Sequence, residues 1–138
     1  MKIRVLVMAF IAVALSVVPQ FINTASAGGY SAQLISPTAG QVLYPGQRIK
    51  VAWRVQLPHV DLGACETEVF LSLDGGLTFS MMISPAMDPK ANYFYWIVPN
   101  IPTNQAVMEV RFGCEPGYPE SYAPQPASMF TIANSTPP

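Results

Sequence analysis

Punctuation decides what this chain can fold into. From Gly28 onward, short runs in which apolar and polar residues alternate are broken by proline and glycine, and no stretch keeps a 3.6-residue apolar period for three turns. A period of two builds strands with one dry and one wet face, and proline and glycine supply the reversals between them. An all-β fold of seven short strands is the expectation. The runs are Ser31 to Ser36 with a continuation through Tyr44, Gln47 to Gln56, Cys65 to Leu73, Leu77 to Ile83, Asn92 to Val98, Ala106 to Cys114 and Ala127 to Ala133. The second is the clearest, with Ile49, Val51, Trp53 and Val55 alternating with Arg48, Lys50, Ala52 and Arg54. In the fifth, either Phe94, Trp96 and Val98 or Tyr93, Tyr95 and Ile97 could face inward, so it is expected to be covered on much of both faces. Asp74-Gly75-Gly76 predicts a tight hairpin, because glycine accepts the positive φ that such turns demand. The stretch from Glu115 to Pro126 is too rich in proline to feed a central ladder and is expected to be a surface loop.

The two cysteines turn this pattern into a register. Cys65 and Cys114 each fall in phase with the inward residues of their own run. If the two runs are antiparallel neighbours joined by a disulfide, Thr67 faces Phe112, Glu68 faces Arg111, Val69 faces Val110 and Leu71 faces Met108. Core then meets core and acid meets base, whereas a slip of one residue would turn every side chain to the wrong face.

The N-terminus predicts the compartment. Lys2 and Arg4 precede an apolar run from Val5 to Val18, and Ala25-Ser26-Ala27 follows. A charged start, a run too short to span a bilayer comfortably and an A-x-A ending together predict a signal peptide over residues 1–27, cleaved to leave one domain over 28–138. Secretion or delivery to a periplasm follows, with no membrane span after cleavage, and in such compartments thiols pair. Without the two leader cations, the balance is 7 − 2 = 5 Lys and Arg against 8 Asp and Glu. A chain of net charge 5 − 8 = −3 with no basic run in its sequence is poorly suited to nucleic acid.

The order of motifs carries a resemblance: Tyr44-Pro45-Gly46, then Ile49-x-Val51-x-Trp53, then Ser72-x-Asp74-Gly75-Gly76-x-Thr78-Phe79, then Tyr95-Trp96-x-Val98-Pro99. It resembles bacterial secreted domains of the immunoglobulin-like and fibronectin type III-like kind, and is similar in motif order to the N-terminal domain of fungal cell-wall glucan-assembly proteins. The resemblance implies a seven-stranded antiparallel β-sandwich over residues 31–133, a scaffold without chemistry of its own. Trp53 on the second strand and Cys65 on the third depart from the antibody-type pattern.

Four constellations could carry function. Ser72 to Phe79 fits the Asp-box pattern S-x-D-x-G-x-T-[WF] of sialidase propellers, but one chain of this length cannot build a propeller; Asp74 is expected to brace its own turn, with Phe79 packed beside it. Met81, Met82 and Met87 with His59 offer soft ligands and one imidazole for copper, against the ordinary use of methionine as core filler. Glu66 and Glu68 share a strand face roughly 7 Å apart, a spacing seen in glycosidase carboxylate pairs, yet alternation alone produces it and no cleft is indicated. Tyr93, Tyr95, Tyr118 and Tyr122 are the candidate binding residues, because exposed tyrosines stack on sugar rings or on a partner protein. The expectation is a non-enzymatic module without cofactor or resident metal, binding a protein or a cell-envelope glycan. The alternatives are a periplasmic copper protein using His59 and the methionines, and a structural subunit that assembles through an edge strand.

Overall fold

The computed structural model describes residues 29–115 and 128–135 in full and the backbone of 118–124. The expected leader lies outside the described residues. Among the described residues nine strands follow in chain order: β1 (Ser31–Ser36), β2 (Val42–Leu43), β3 (Arg48–Gln56), β4 (Cys65–Ser72), β5 (Met81–Met82), β6 (Tyr93–Ile97), β7 (Thr103–Cys114), β8 (Tyr118–Pro124) and β9 (Phe130–Ile132). A 3-10 turn, Leu62–Ala64, leads into β4, started by the Asp61 carboxylate accepting from Gly63 N–H at 3.0 Å. The fold is mostly β and has two sheets. Among the described residues no helix is long and apolar enough to cross a membrane.

One sheet has three strands in the order β1-β3-β6, all antiparallel. The other runs β2-β9-β7-β4-β5, with β8 also paired to β7. Strand β2 joins it by running parallel to β9, so the chain changes sheet between β1 and β2. Two additions bring the expected seven segments to nine. The short continuation after β1 is a separate strand in the other sheet, and the proline-rich stretch expected to be a loop holds β8. Pro119 and Pro124 are compatible with a strand there because β8 pairs with β7 alone, and an edge strand has one side on which a missing N–H costs no ladder bond.

The ladder between β4 and β7 has the register that the cysteines imply. Cys65 pairs with Cys114, Thr67 with Phe112, Glu68 with Arg111, Val69 with Val110 and Leu71 with Met108. Glu115 N–H donates to Ala64 O at 2.9 Å, which makes Cys65 and Cys114 a non-hydrogen-bonded pair. Such pairs bring Cα atoms closest together in an antiparallel ladder. The two Cα atoms are 3.9 Å apart and the sulfurs are bonded.

Between the sheets lie Leu43, Val51, Trp53, Val69, Leu71, Val98, Met108, Val110, Phe112, Phe130 and Ile132, all fully buried. Each of the larger ones contributes roughly 1.5–3 kcal/mol on leaving water. Tyr30 stacks on Phe112 with ring centroids 4.7 Å apart. Burial pushes the Tyr30 hydroxyl well above the ordinary tyrosine range. Among the described residues, three polar atoms inside this layer have no hydrogen-bond partner: Tyr30 Oη, Trp53 Nε1 and Thr67 Oγ1.

The hairpin after β4 is wider than its glycines suggest. Phe70 pairs with Met82 and Leu71 with Met81, so Ser72 to Ser80 form one broad loop rather than a tight reversal. Gly75 and Gly76 do adopt positive φ, at 75° and 89°, but they fold the loop back over the sheet. Gly75 N–H donates to Gln105 O at 2.9 Å, and a side chain at Gly76 would meet Phe79 and Val107. With that cover, β7 is buried on both faces from Ala106 to Glu109. Beyond β5, Pro85 interrupts the ladder along β4, and the Ser84 hydroxyl accepts from Val69 N–H at 2.8 Å before Thr67 and Met87 exchange backbone bonds.

Two stability outcomes follow. Replacing Cys65 and Cys114 together by serine is expected to lower the unfolding free energy by about 4 kcal/mol, since the bond closes a loop 49 residues long. Thr67→Val keeps the shape while removing a buried hydroxyl without a partner, and should raise stability by on the order of 1 kcal/mol. Urea unfolding measures both, and a destabilised Thr67→Val protein would show that this hydroxyl is satisfied in solution.

Candidate functional site

The solvent face of the three-stranded sheet gathers the most chemistry. On β3 the side chains that turn away from Val51 and Trp53 are Arg48, Lys50 and Arg54, all exposed. On β6 the inward set is Phe94 and Trp96, with Val98 continuing it, and Tyr93, Tyr95 and Ile97 point to water at 49%, 53% and 56% exposure. The expectation that β6 is covered on both faces is therefore corrected: it is an edge strand of a sheet with one open face. Phe94 packs edge-on against Trp53 with ring centroids 6.3 Å apart. That anchor in the core fixes which side of β6 is wet.

Register then brings the two wet sets together. Lys50 lies opposite Tyr95, and Arg48 opposite Ile97. Each cation leans to its diagonal neighbour: the Arg48 guanidinium sits 3.9 Å from the Tyr95 ring centre, and the Lys50 ammonium 4.2 Å from that of Tyr93. The two tyrosine rings meet edge-to-face at 6.1 Å. Exposed cation–π contacts contribute about 0.5–1 kcal/mol each, enough to hold the charged ends over β6 rather than leave them loose. Arg48, Lys50 and Arg54 are three of the five Lys and Arg after residue 28, and β1, β3 and β6 contain no acidic residue. The chain is acidic overall, yet this sheet is basic and aromatic.

The opposite sheet carries the acids. A half-open concavity of about 640 Å³ lies beside the disulfide, lined among others by Glu66, Glu68, Arg111 and Glu115. The sequence indicated no cleft here; the structure forms one along the start of β4 and the end of β7. Among the described residues that line it are carboxylates and one guanidinium, and no imidazole or hydroxyl. Arg111, opposite Glu68 in register, donates through Nε to the buried Glu109 at 2.5 Å and lies 3.7 Å over the Phe70 ring. These contacts place the guanidinium in the packing of the outer face.

The Asp-box segment is a self-contained turn. Asp74 Oδ1 accepts from the Ser72 hydroxyl at 2.7 Å and Thr78 N–H at 2.9 Å, and Oδ2 accepts from the Thr78 hydroxyl at 2.7 Å. Ser72 Oγ in turn accepts from Gly76 N–H at 2.8 Å. The Ser72 hydrogen bond first, then those from Thr78, lower the Asp74 carboxyl to about 2. Both its oxygens are used by the loop that carries it. His59 is exposed in the loop after β3; Met81 and Met87 pack against the core, and Met82 turns to water on the other face of β5. Alternation separates the neighbouring thioethers Met81 and Met82, so the structure does not converge the methionines on one point. Among the described residues there is no cluster of three or more His, Cys, Asp or Glu.

Of the four candidate tyrosines, Tyr93 and Tyr95 stand side by side on the basic face. The backbones of Tyr118 and Tyr122 lie on β8, opposite Cys114 and Arg111, and their side chains are outside the described part of the structure. What the sequence reading missed is Arg48, Lys50 and Arg54. Their alternation with apolar residues marked them as a wet face, but nothing local said that two tyrosines lie beside them. Comparison with family models, with curated proteins and with solved structures finds no match to this chain.

The Asp74 turn has a pH signature. Because the folded carboxyl titrates near 2, below the ordinary aspartate value near 4, its stabilisation is complete above the ordinary value and is lost as pH falls towards 2. Asp74→Asn is expected to melt below the wild type at pH 6 and to approach it at pH 2. Thermal melts at the two pH values test this, and a constant difference would exclude the carboxylate as the brace.

Proposed function

We propose that this chain is a non-enzymatic extracytoplasmic binding module, an immunoglobulin-like sandwich that holds an anionic protein or cell-envelope glycan on the open face of its three-stranded sheet. One observation carries this: Arg48, Lys50 and Arg54 share a strand face bordered by Tyr93 and Tyr95, on a sheet whose strands have no acid. At the strand rise, the first two cations stand roughly 7 Å apart and the third about 13 Å further along, a row suited to repeated negative charges on an extended polymer. Tyrosine adds a flat surface for sugar rings or apolar side chains. The leader-like N-terminus and the disulfide support export, since disulfides persist in oxidising compartments.

Polygalacturonate, an acidic polysaccharide, is a suitable probe, with neutral dextran as control. The protein is expected to bind the first and not the second, with affinity falling as salt rises. The double variant Arg48→Gln, Lys50→Gln should bind at least tenfold more weakly while melting within a few degrees of the wild type. Equal affinity for both polymers, or an unchanged double variant, would remove this face as the site.

A further inference from the structure

Among the described residues, no strand pairs with the outer edge of β6. Asn92 O accepts from Trp53 N–H at 3.0 Å, and Val98 donates to Gln47 O and accepts from Gly46 N–H at 2.9 Å each, so residues 92 and 98 turn their backbones to β3. In the same antiparallel register Phe94 and Trp96 do so too. The N–H and C=O groups of Tyr93, Tyr95 and Ile97 therefore point away from the sheet, and among the described residues no hydrogen bond uses them. Other edges are blunted. Strands β2 and β5 are two residues long, β8 contains Pro119 and Pro124, and β1 carries a bulge after Leu34 and passes near β8. Short length and proline are the ordinary protections of a sheet edge, as are charge and bulges. Strand β6, Tyr-Phe-Tyr-Trp-Ile, has neither proline nor charge, and its pairing with β3 shows no bulge.

We propose that this edge takes up one extended acidic polypeptide strand, which extends the three-stranded sheet to four. The inference rests on the reading of the adjoining face as an anion-binding surface, and narrows its partner to a protein segment. Two features select the occupant. A peptide backbone can repeat the outward N–H and C=O groups of Tyr93, Tyr95 and Ile97, which is how strand addition gains affinity. The cation–π contacts set the Arg48 and Lys50 charges over the β6 rings, one strand nearer the edge than their own backbones, where they meet carboxylates on alternate residues of the incoming strand. The intervening residues of that strand face the Phe94 and Trp96 side of the sheet and are apolar.

The probe is a capped heptapeptide alternating Glu and Val, with the Lys and Val peptide as charge control, titrated against the oxidised domain. Two further versions carry N-methyl groups on every Glu nitrogen or on every Val nitrogen. Only one of these sets can point at β6. One methylated peptide is expected to lose at least tenfold in affinity and the other to stay within about threefold of the parent, while the Lys peptide does not bind. Ile97→Pro removes an N–H that the fold does not use, and should weaken the parent peptide at least tenfold while leaving polygalacturonate binding unchanged. Failure of the parent peptide to bind, or equal effects of the two methylations, overturns strand addition. If polygalacturonate still binds and responds to the Arg48 and Lys50 substitutions, the anionic face stands and only the strand is withdrawn; if neither probe binds, both are withdrawn.

Discussion

The pairing of β4 with β7 is the constraint from which the rest of the structure hangs. Strand β7 is twelve residues long and holds β4 on one side and both β8 and β9 on the other. Its inward residues, Ala106, Met108, Val110 and Phe112, form the floor of the core. A one-residue slip would exchange these for Val107, Glu109 and Arg111, placing an ion pair between the sheets at a desolvation cost of several kcal/mol per ion. The disulfide at the end of the ladder excludes that slip covalently.

The second sheet is positioned by what it sends into that core. Trp53 and Val51 from β3, with Trp96 and Val98 from β6 and the strand end after it, are buried against the first sheet. Alternation then leaves Arg48, Lys50, Arg54, Tyr93 and Tyr95 on the far side. The candidate surface is thus the necessary reverse of the packing: each residue that anchors the sheet places its chain neighbours in water. What is particular to this chain is which residues occupy those wet positions.

The two sheets treat their outer faces differently. Over β4 and β7, the broad Ser72–Ser80 loop folds back, with Asp74 holding its shape and Phe79 packed on Gly76 and near Arg111. A buried Glu109 survives there because a guanidinium reaches it. Nothing in the described structure covers the β1-β3-β6 sheet in the same way. The covering loop and the buried Glu109 thus lie over one sheet, while the basic and aromatic residues lie on the uncovered face of the other.

The positions of β1, β3, β4, β6, β7 and β9, the inward phase of β3, β4 and β7, and the Cys65–Cys114 register could be read from the chain, because a period of two and a bond between in-phase cysteines leave a single geometric solution; the expected Leu77–Ile83 strand is only Met81–Met82. The role of Asp74 was legible for the same reason, since its partners Ser72 and Thr78 are within four residues. Three matters were not. That β8 is a strand depended on its lying at an edge, where proline costs nothing. That Asp74-Gly75-Gly76 opens a broad loop depended on Gln105, Phe79 and Val107 offering a surface to fold onto. That Tyr93 and Tyr95 meet Arg48 and Lys50 depended on β6 lying next to β3 across about forty residues of intervening chain. A sequence states which way a side chain turns from its own strand, and only the closing of the sheets decides which strand stands beside it and whether the face it shares meets protein or water.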